Sequence, residues 1–388
     1  MSGIVLSASV RQNLLSLQST ADLLATTQNR LATGKKVNTA LDNPTNFFTA
    51  QSLDARAGDI NNLLDGIGNG VQVLQAANTG ITSLQKLVDT AKSIANQVLQ
   101  APTGYTTKST VTSTAAILGT AANLVDGVGF KSGQTIIVAA SGSLAAVTVT
   151  LGATETLDQL NTALAPGNLT ASLDSTNHLV FTNNNNDAAS STIGAVTVGS
   201  TPGSTTFAAA VAPVADAASQ AIRANLVSQY NNIVAQITTT AQDSSFNGIN
   251  LLNGDNLKLT FNETGKSTLN ITGVTYNASG LGVNALVSGT DFLDNTSANK
   301  ALTALSAAST SLRTEASALG SNLSIVQIRQ DFSKSLINVL QTGSSNLTLA
   351  DTNEEAANSQ ALSTRQSIAV SALARANQSQ QSVLQLLR

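Results

Sequence analysis

Two runs of residues spaced alternately four and three apart, one near each end of the chain, constrain the fold most. Val10, Leu14, Leu17, Ala21, Leu24, Gln28 and Leu31 keep this spacing in the first run, and Leu373, Ala376, Gln380, Val383 and Leu387 keep it in the last. A repeat of 3.5 residues puts one stripe on one side of an α-helix and turns it toward another helix. Both ends are therefore expected to be helices of coiled-coil type. The apolar side chains of one such end return less free energy than ordering its backbone costs, so neither end is expected to be stable alone. Two readings stay open: core helices of a monomeric bundle, or ends that fold on association with neighbouring molecules. Their position at both extremes favours association.

The stripe resumes after "TGKKVNTALDNPTN", where Gly, Asn, Asp and Pro mark a loop. It runs through Ile60, Leu64, Ile67, Val71 and Leu74, then through Ile81, Leu84, Val88, Ala91, Ala95 and Val98. Leu302, Leu305, Leu312, Ala316, Leu319, Leu323, Val326, Ile337 and Leu340 carry the same count toward the other end. Gly66, Gly68 and Gly70 interrupt the second helix, each at a cost of about 1 kcal/mol relative to Ala. They read as close-packing or flexible positions.

Residues 103–219 differ in kind, with two basic residues, Lys108 and Lys131, against six acidic ones. "TIIVAA", "AVTVTL", "LTASLD", "HLVFT" and "AVTV" are strand-like runs, and "TLDQLNTALA" is a helix among them. A hairpin is expected at about 256–290. The fold class is thus α+β. A long antiparallel helical coiled coil or bundle comes from both termini, with a β-hairpin region near 256–290 and an inserted, exposed, β-rich α+β domain.

Composition narrows the partners. Charged residues are 11% of the chain, against about 25% in typical soluble domains. The net charge is −3 and no basic run exceeds Lys35-Lys36, so no nucleic-acid partner is expected. No apolar run reaches membrane-spanning length, and no secretory signal segment opens the chain, so no membrane insertion is expected. There are no cysteines, which suits passage of an unfolded chain through a narrow channel.

"ETGKST" (263–268) has Thr260 where a phosphate-binding loop needs Gly, and reads as a turn. The single histidine, His178, cannot build an H-E-x-x-H zinc site, and "NNNND" (183–187) lacks the acidic density of a calcium loop. No catalytic residues, cofactor or metal are expected.

Three segments together resemble bacterial flagellin. In 28–78, Leu31, Gly34, Val37 and Asn38 stand as in the family's turn, and Asp65, Gly66 and Ile67 as in its following helix. "FNGINLLNG" (246–254) resembles its segment before a hairpin. "RQSIAVSALARANQSQQSVLQLLR" (365–388) resembles its C-terminal signature, with Ala374, Ala376, Asn377 and Gln378 at the core. The stretch "VTVTLGATETLDQLNTALAPGNLTASLDSTNHLVFT" resembles a small α+β unit found in some flagellins and hook-associated proteins.

The resemblance implies a structural filament subunit, exported unfolded, secreted and polymerised in the extracellular flagellum for swimming motility. Residues 1–44 and 345–388 would form the inner coiled-coil core, 45–102 and 220–344 the helical rod with its hairpin, and 103–219 the variable outer domain. Filament contacts would fall on Val10, Leu14, Leu17, Leu24, Leu31, Leu373, Ala376, Val383 and Leu387. Rod packing would use Ile60, Leu64, Ile67, Val71, Leu74, Leu312, Leu319, Leu323 and Val326. Its partners would be other copies, an export chaperone on the C-terminal segment, hook-associated and cap proteins, and the export apparatus. The stretch read by the animal flagellin receptor departs from the common pattern at Val88, Asp89, Thr90 and Lys92, with Thr90 replacing an arginine, which implies weak activation. Alternatives of the same or another class are a hook–filament junction protein and a secreted adhesin using 103–219.

Overall fold

The computed structural model describes residues 8–126, 129–199 and 205–386. In chain order the helices are α1 (Ala8–Thr33), α2 (Pro44–Gln100), α3 (Leu157–Leu164), α4 (Ala217–Asp243), α5 (Asn295–Thr348) and α6 (Thr352–Leu386). The strands are β1 (Tyr105–Thr107), β2 (Thr110–Thr112), β3 (Thr135–Val138), β4 (Val147–Thr150), β5 (Leu169–Leu173), β6 (Leu179–Asn183), β7 (Val196–Val198), β8 (Val214–Ala215), β9 (Asn256–Thr260) and β10 (Thr268–Thr272). The α+β class and the long helices from both ends are present, and β9 and β10 form a two-stranded sheet within the expected hairpin region. The chain divides into two compact units.

The first unit holds Met1–Gly70, Lys258–Leu269 and Ile325–Arg388. Here α1 packs along α6. Val10, Thr20 and Thr27 are buried and Leu17 and Leu24 half-buried; on α6 Glu355 is buried, and Leu362, Gln366, Ala369, Leu373 and Ala376 are half-buried. Leu14 and Leu31, which keep the same spacing, are exposed within the single chain. Leucines lie on more than one side of α1, and only one side can face α6. Thr20 tolerates burial because its hydroxyl donates to the Ser16 carbonyl. Leu387 and the side chain of Val383 lie outside the described residues.

The α1–α2 and α5–α6 connections run side by side. Lys36 N–H donates to the Thr348 carbonyl at 2.8 Å and Ala350 N–H to that of Gly34 at 3.0 Å. Gly34 has φ +69°, a conformation that favours glycine and ends α1. Asn43 accepts the Asn46 N–H ahead of Pro44, an N-cap followed by a proline at the first helical position. Beyond this joint Ala57, Ile60, Ile337 and Leu340 make a small core, flanked by Leu53, Leu64 and Leu336.

The β9–β10 turn contains "ETGKST", with Gly265 at φ +71° donating to the Asn262 carbonyl. Glu263 pairs with Arg56 of α2 at 2.7 Å, and Arg329 of α5 lies 5.8 Å from the Phe261 ring centroid. Leu259 covers Gly70 so closely that a Cβ there would collide with its methyl groups, whereas one at Gly66 meets nothing within 4 Å. Of Gly66, Gly68 and Gly70, only Gly70 is therefore close-packed. Gly66→Ala is expected to stabilise the unit by about 0.5–1 kcal/mol through helix propensity. Gly70→Ala should lose that gain to displacement of Leu259. Denaturant midpoints of the two variants would show opposite or clearly separated shifts.

The second unit holds Val71–Leu257 and Asn270–Ser324. Its helices bury Leu74, Ile81, Leu84, Val88, Ala91, Ala95 and Val98 on α2, Leu226, Val227, Tyr230, Val234 and Ile237 on α4, and Leu305, Leu312 and Leu319 on α5. The five strand-like runs became β3 to β7, and "TLDQLNTALA" became α3, which starts with a Thr156–Gln159 capping box. The antiparallel orders are β2-β6-β5 and β4-β3-β7. Their shared core includes Phe130, Phe181, Leu160 and Leu164, with Phe207 stacked 5.0 Å from Phe181. β1 and β8 pair where this strand-rich segment leaves α2 and rejoins α4.

Candidate functional site

Beyond the side that α6 covers, the surface of α1 carries leucines among polar residues. Leu15 is 66% and Leu23 51% exposed, with Leu14 and Leu31 beside them. α6 likewise exposes Ile368 and Val370. The inner seam mixes Val10, Leu17, Leu24, Leu362 and Leu373 with Thr20, Thr27, Gln366 and Glu355, and leaves Leu14, Leu15, Leu23, Leu31, Ile368 and Val370 exposed. A surface arranged that way has apolar area still to bury. Few charges oppose close approach: α1 has Arg11, Asp22 and Arg30, and Arg30 is 3.3 Å from Glu355 of α6.

The loop between α1 and α2 exposes Leu41, at 95%, and the start of α2 exposes Phe48, edge-on to Phe47. Asp42 organises it. Its Oδ2 accepts the N–H groups of Thr39 at 2.8 Å and Asn38 at 2.9 Å, together with the Thr39 hydroxyl. These donors, the Thr39 N–H first, hold the carboxyl below its ordinary value of 3.8. A lowered carboxylate pKa contributes stability that is complete above the unfolded value and is lost as pH falls through the folded one. Asp42→Asn is therefore expected to loosen this loop at neutral pH and to flatten its response to acid below pH 3.8. Amide exchange of Asn38 and Thr39 against pH would test this.

Sequence reasoning missed a polar clamp in the second unit. Arg223 of α4 is fully buried, and its guanidinium donates to Pro102 O at 2.8 Å, Phe292 O at 3.0 Å, and Ala101 O and Asn295 Oδ1 at 3.2 Å. Buried Asp294 accepts from Ser190, and Gln220 donates to Gly104 O. Burial lowers the Arg223 pKa, while Asp294 and Tyr105 oppose that shift; burial and Asp294 raise Tyr105. The clamp gathers the end of α2, the start of α5 and both ends of the strand-rich segment. One signal was available: Arg223 precedes Leu226, Val227 and Tyr230 at three, four and seven residues, on the buried face of α4.

Residues 5–126 match the bacterial flagellin N-terminal helical region, and residues 302–387 match the bacterial flagellin C-terminal helical region. Together the two cover more than half of the chain. The chain belongs to the bacterial flagellin family. Flagellin FljM of Caulobacter vibrioides is 34% identical over 168 residues, covering 42% of this chain and 59% of its own length. A flagellin of Brucella melitensis is 28% identical over 177 residues, covering 43% and 62%. The chain thus spans about three fifths of these curated relatives. The D1-D2-D3 domains of the Escherichia coli flagellar cap protein FliD align over 42% of this chain and 71% of their own. That alignment has 11% identity and a TM-score of 0.16, too slight to define a shared fold.

In this flagellin Ile60, Ile67, Val71, Leu74, Leu312, Leu319 and Val326 are buried, and Leu64 and Leu323 half-buried. Val88 is buried, Lys92 half-buried, and Asp89 and Thr90 exposed, with the Thr90 hydroxyl donating to its own helix at Lys86 O. His178 sits in the β5–β6 turn beside Asp174, whose Oδ1 accepts from the His178 N–H. Among the described residues no group of three or more His, Cys, Asp or Glu is placed to hold a metal, and no helix is long and apolar enough to cross a membrane.

Proposed function

We propose that this flagellin is a structural subunit, not an enzyme, that polymerises into the extracellular flagellar filament used for swimming. The observation that carries the reading is the α1–α6 pair, which lies in the two family regions and turns Leu15, Leu23, Ile368 and Val370 outward. A contact between different faces of successive copies, when it does not close into a ring, produces a helical filament. Residues 1–44 and 345–388 would line the inner core and 45–102 with 220–344 the rod, and 103–219 would face solvent. Export in unfolded form, chaperone cover of the C-terminal segment, and meetings with hook-associated and cap proteins complete the reading.

The test is sedimentation of the purified chain after salt addition. Monomer below a critical concentration and sedimenting polymer above it is the expected result; a monomer at every concentration and salt would overturn the reading. Thr90, exposed where many flagellins have arginine, further suggests weak activation of the animal flagellin receptor, and full potency in a reporter-cell assay would contradict that.

A further inference from the structure

We propose that the open seam between β7 and residues 205–211 binds an extended peptide strand of a partner protein, with small side chains along its middle and basic residues at its ends. The strand-rich segment has two seams where its three-stranded sheets meet. At one of them α3 lies against β4 and β5, and Asn161 closes the β5 edge. Its side chain accepts the Ala171 N–H at 2.6 Å and donates to the Ala171 carbonyl at 3.2 Å. At the other seam, residues 205–211 run beside β2, with Ala208 N–H donating to Thr112 O and Val211 exchanging both bonds with Thr110. A crevice of about 350 Å³ separates them from β7, lined by 193–196 on one wall and 207–210 on the other. Among the described residues no backbone hydrogen bond crosses it. Buried Ser109 staples one end, where its hydroxyl donates to Val211 O at 2.8 Å and accepts the Ile193 N–H at 2.9 Å.

The backbone of the two walls specifies an extended occupant. Ala139 N–H donates to Ala195 O and Gly199 N–H to Thr135 O, which marks the hydrogen-bonded pairs of the β3–β7 ladder. By the alternation of an antiparallel pair, the N–H and C=O of Val196 and Val198 point away from β3. On the other wall Phe207, Ala209 and Ala210 make no backbone hydrogen bond. An added strand would pair with both walls at once. Side-chain size follows from the lining: Gly194, Ala195, Ala208 and Ala209 leave width, while Val196, Phe207 and Ala210 are only partly buried against the core and have apolar surface still to cover. Sheet edges of this kind are normally paired, covered or blunted, as α3 and Asn161 do at the first seam. Charge sets the ends of the occupant. Residues 103–219 hold six acidic groups against two basic ones, and Lys108 is already engaged with Asn184 O and Asn186 Oδ1. Asp126 stands at the Thr205 end of the seam, with Thr205 Oγ1 and Asp126 Oδ2 lying 2.9 and 3.3 Å from where a Cβ on Gly129 would be. The site belongs to the single chain and is independent of the filament reading.

The test uses the full-length monomer and amide exchange. The probe is a pool of peptides of about seven residues, long enough for the seam at roughly 3.3 Å per residue, with lysine at both ends and Ala, Val, Ser or Thr between. The pool is expected to slow exchange at Val196, Val198, Phe207, Ala209 and Ala210 by about tenfold or more. A pool N-methylated at alternate residues, and one with glutamate at both ends, are expected to lose that protection. Val196→Pro removes an N–H that faces away from β3, which an edge strand tolerates, and is expected to abolish binding with an unchanged thermal midpoint. No protection from the lysine-ended pool, or equal protection from the N-methylated one, would overturn the strand site. Equal protection from the glutamate-ended pool would overturn the basic partner. Protection that appears without peptide as the protein is concentrated would assign the seam to a second copy instead. Each result is read on monomer, so failure here leaves the filament reading standing.

Discussion

Serine at Leu15, Leu23 and Leu31 together is expected to abolish polymer formation at concentrations where the wild-type chain assembles, while the monomer keeps its helix content. Leu15 and Leu23 are 66% and 51% exposed and Leu31 40%, so their removal takes less from the α1–α6 seam than it would from a contact that buries them. In a polymer that buries them, each contributes up to about 1.5–3 kcal/mol. Losing even half of that at three positions raises the critical concentration by about a hundredfold or more. Helix propensity falls slightly at each serine, by roughly half a kcal/mol, so circular dichroism of the monomer is the necessary companion measurement. Loss of assembly with retained helicity separates a missing contact from a missing fold. A variant that polymerised normally would move the assembly surface elsewhere.

Arg223→Met is expected to lower the stability of the second unit by several kcal/mol, the largest effect of any single substitution foreseen here. Methionine fills much of the volume but donates nothing. The carbonyls of Ala101, Pro102 and Phe292 and the Asn295 side chain would lose their donor together. A buried acceptor left without a partner costs about 1–3 kcal/mol, and Arg223 is only 1% exposed. Arg223→Lys should be intermediate, because an ammonium cannot span four acceptors with the reach of a planar fork. Thermal unfolding measures the loss. Limited proteolysis should find new cleavage at 101–104 and 292–296, where the clamp holds the chain.

Legibility in the sequence followed how much one side of an element is asked to do. α2 was readable because Leu74, Ile81, Leu84, Val88, Ala95 and Val98 repeat over many turns and are all buried. The strands β3 to β7 were readable because Val, Ile and Thr alternate there between turns. β1, β2 and β8 escaped notice, being two or three residues long and specified by pairing rather than pattern. α1 was readable as a helix but not as a face, since Leu14 and Leu31 fit the repeat as well as Thr20 and Thr27 do. The covered side was decided by α6, with Gln366, Ala369 and Leu373 on its half of the seam. Arg223 left only its place on the buried face of α4, because its partners, three backbone carbonyls and the Asn295 side chain, are distant in sequence.

Electron cryo-microscopy of salt-assembled full-length protein, beside a version trimmed to residues 45–344, tests the central claim most directly. The account predicts long tubes of even diameter from the full chain alone. In them α1 and α6 form the innermost layer, with Leu15, Leu23 and Leu31 covered by neighbouring copies. Tubes from the trimmed chain, or a full chain that stays monomeric with those leucines in solvent, would contradict it.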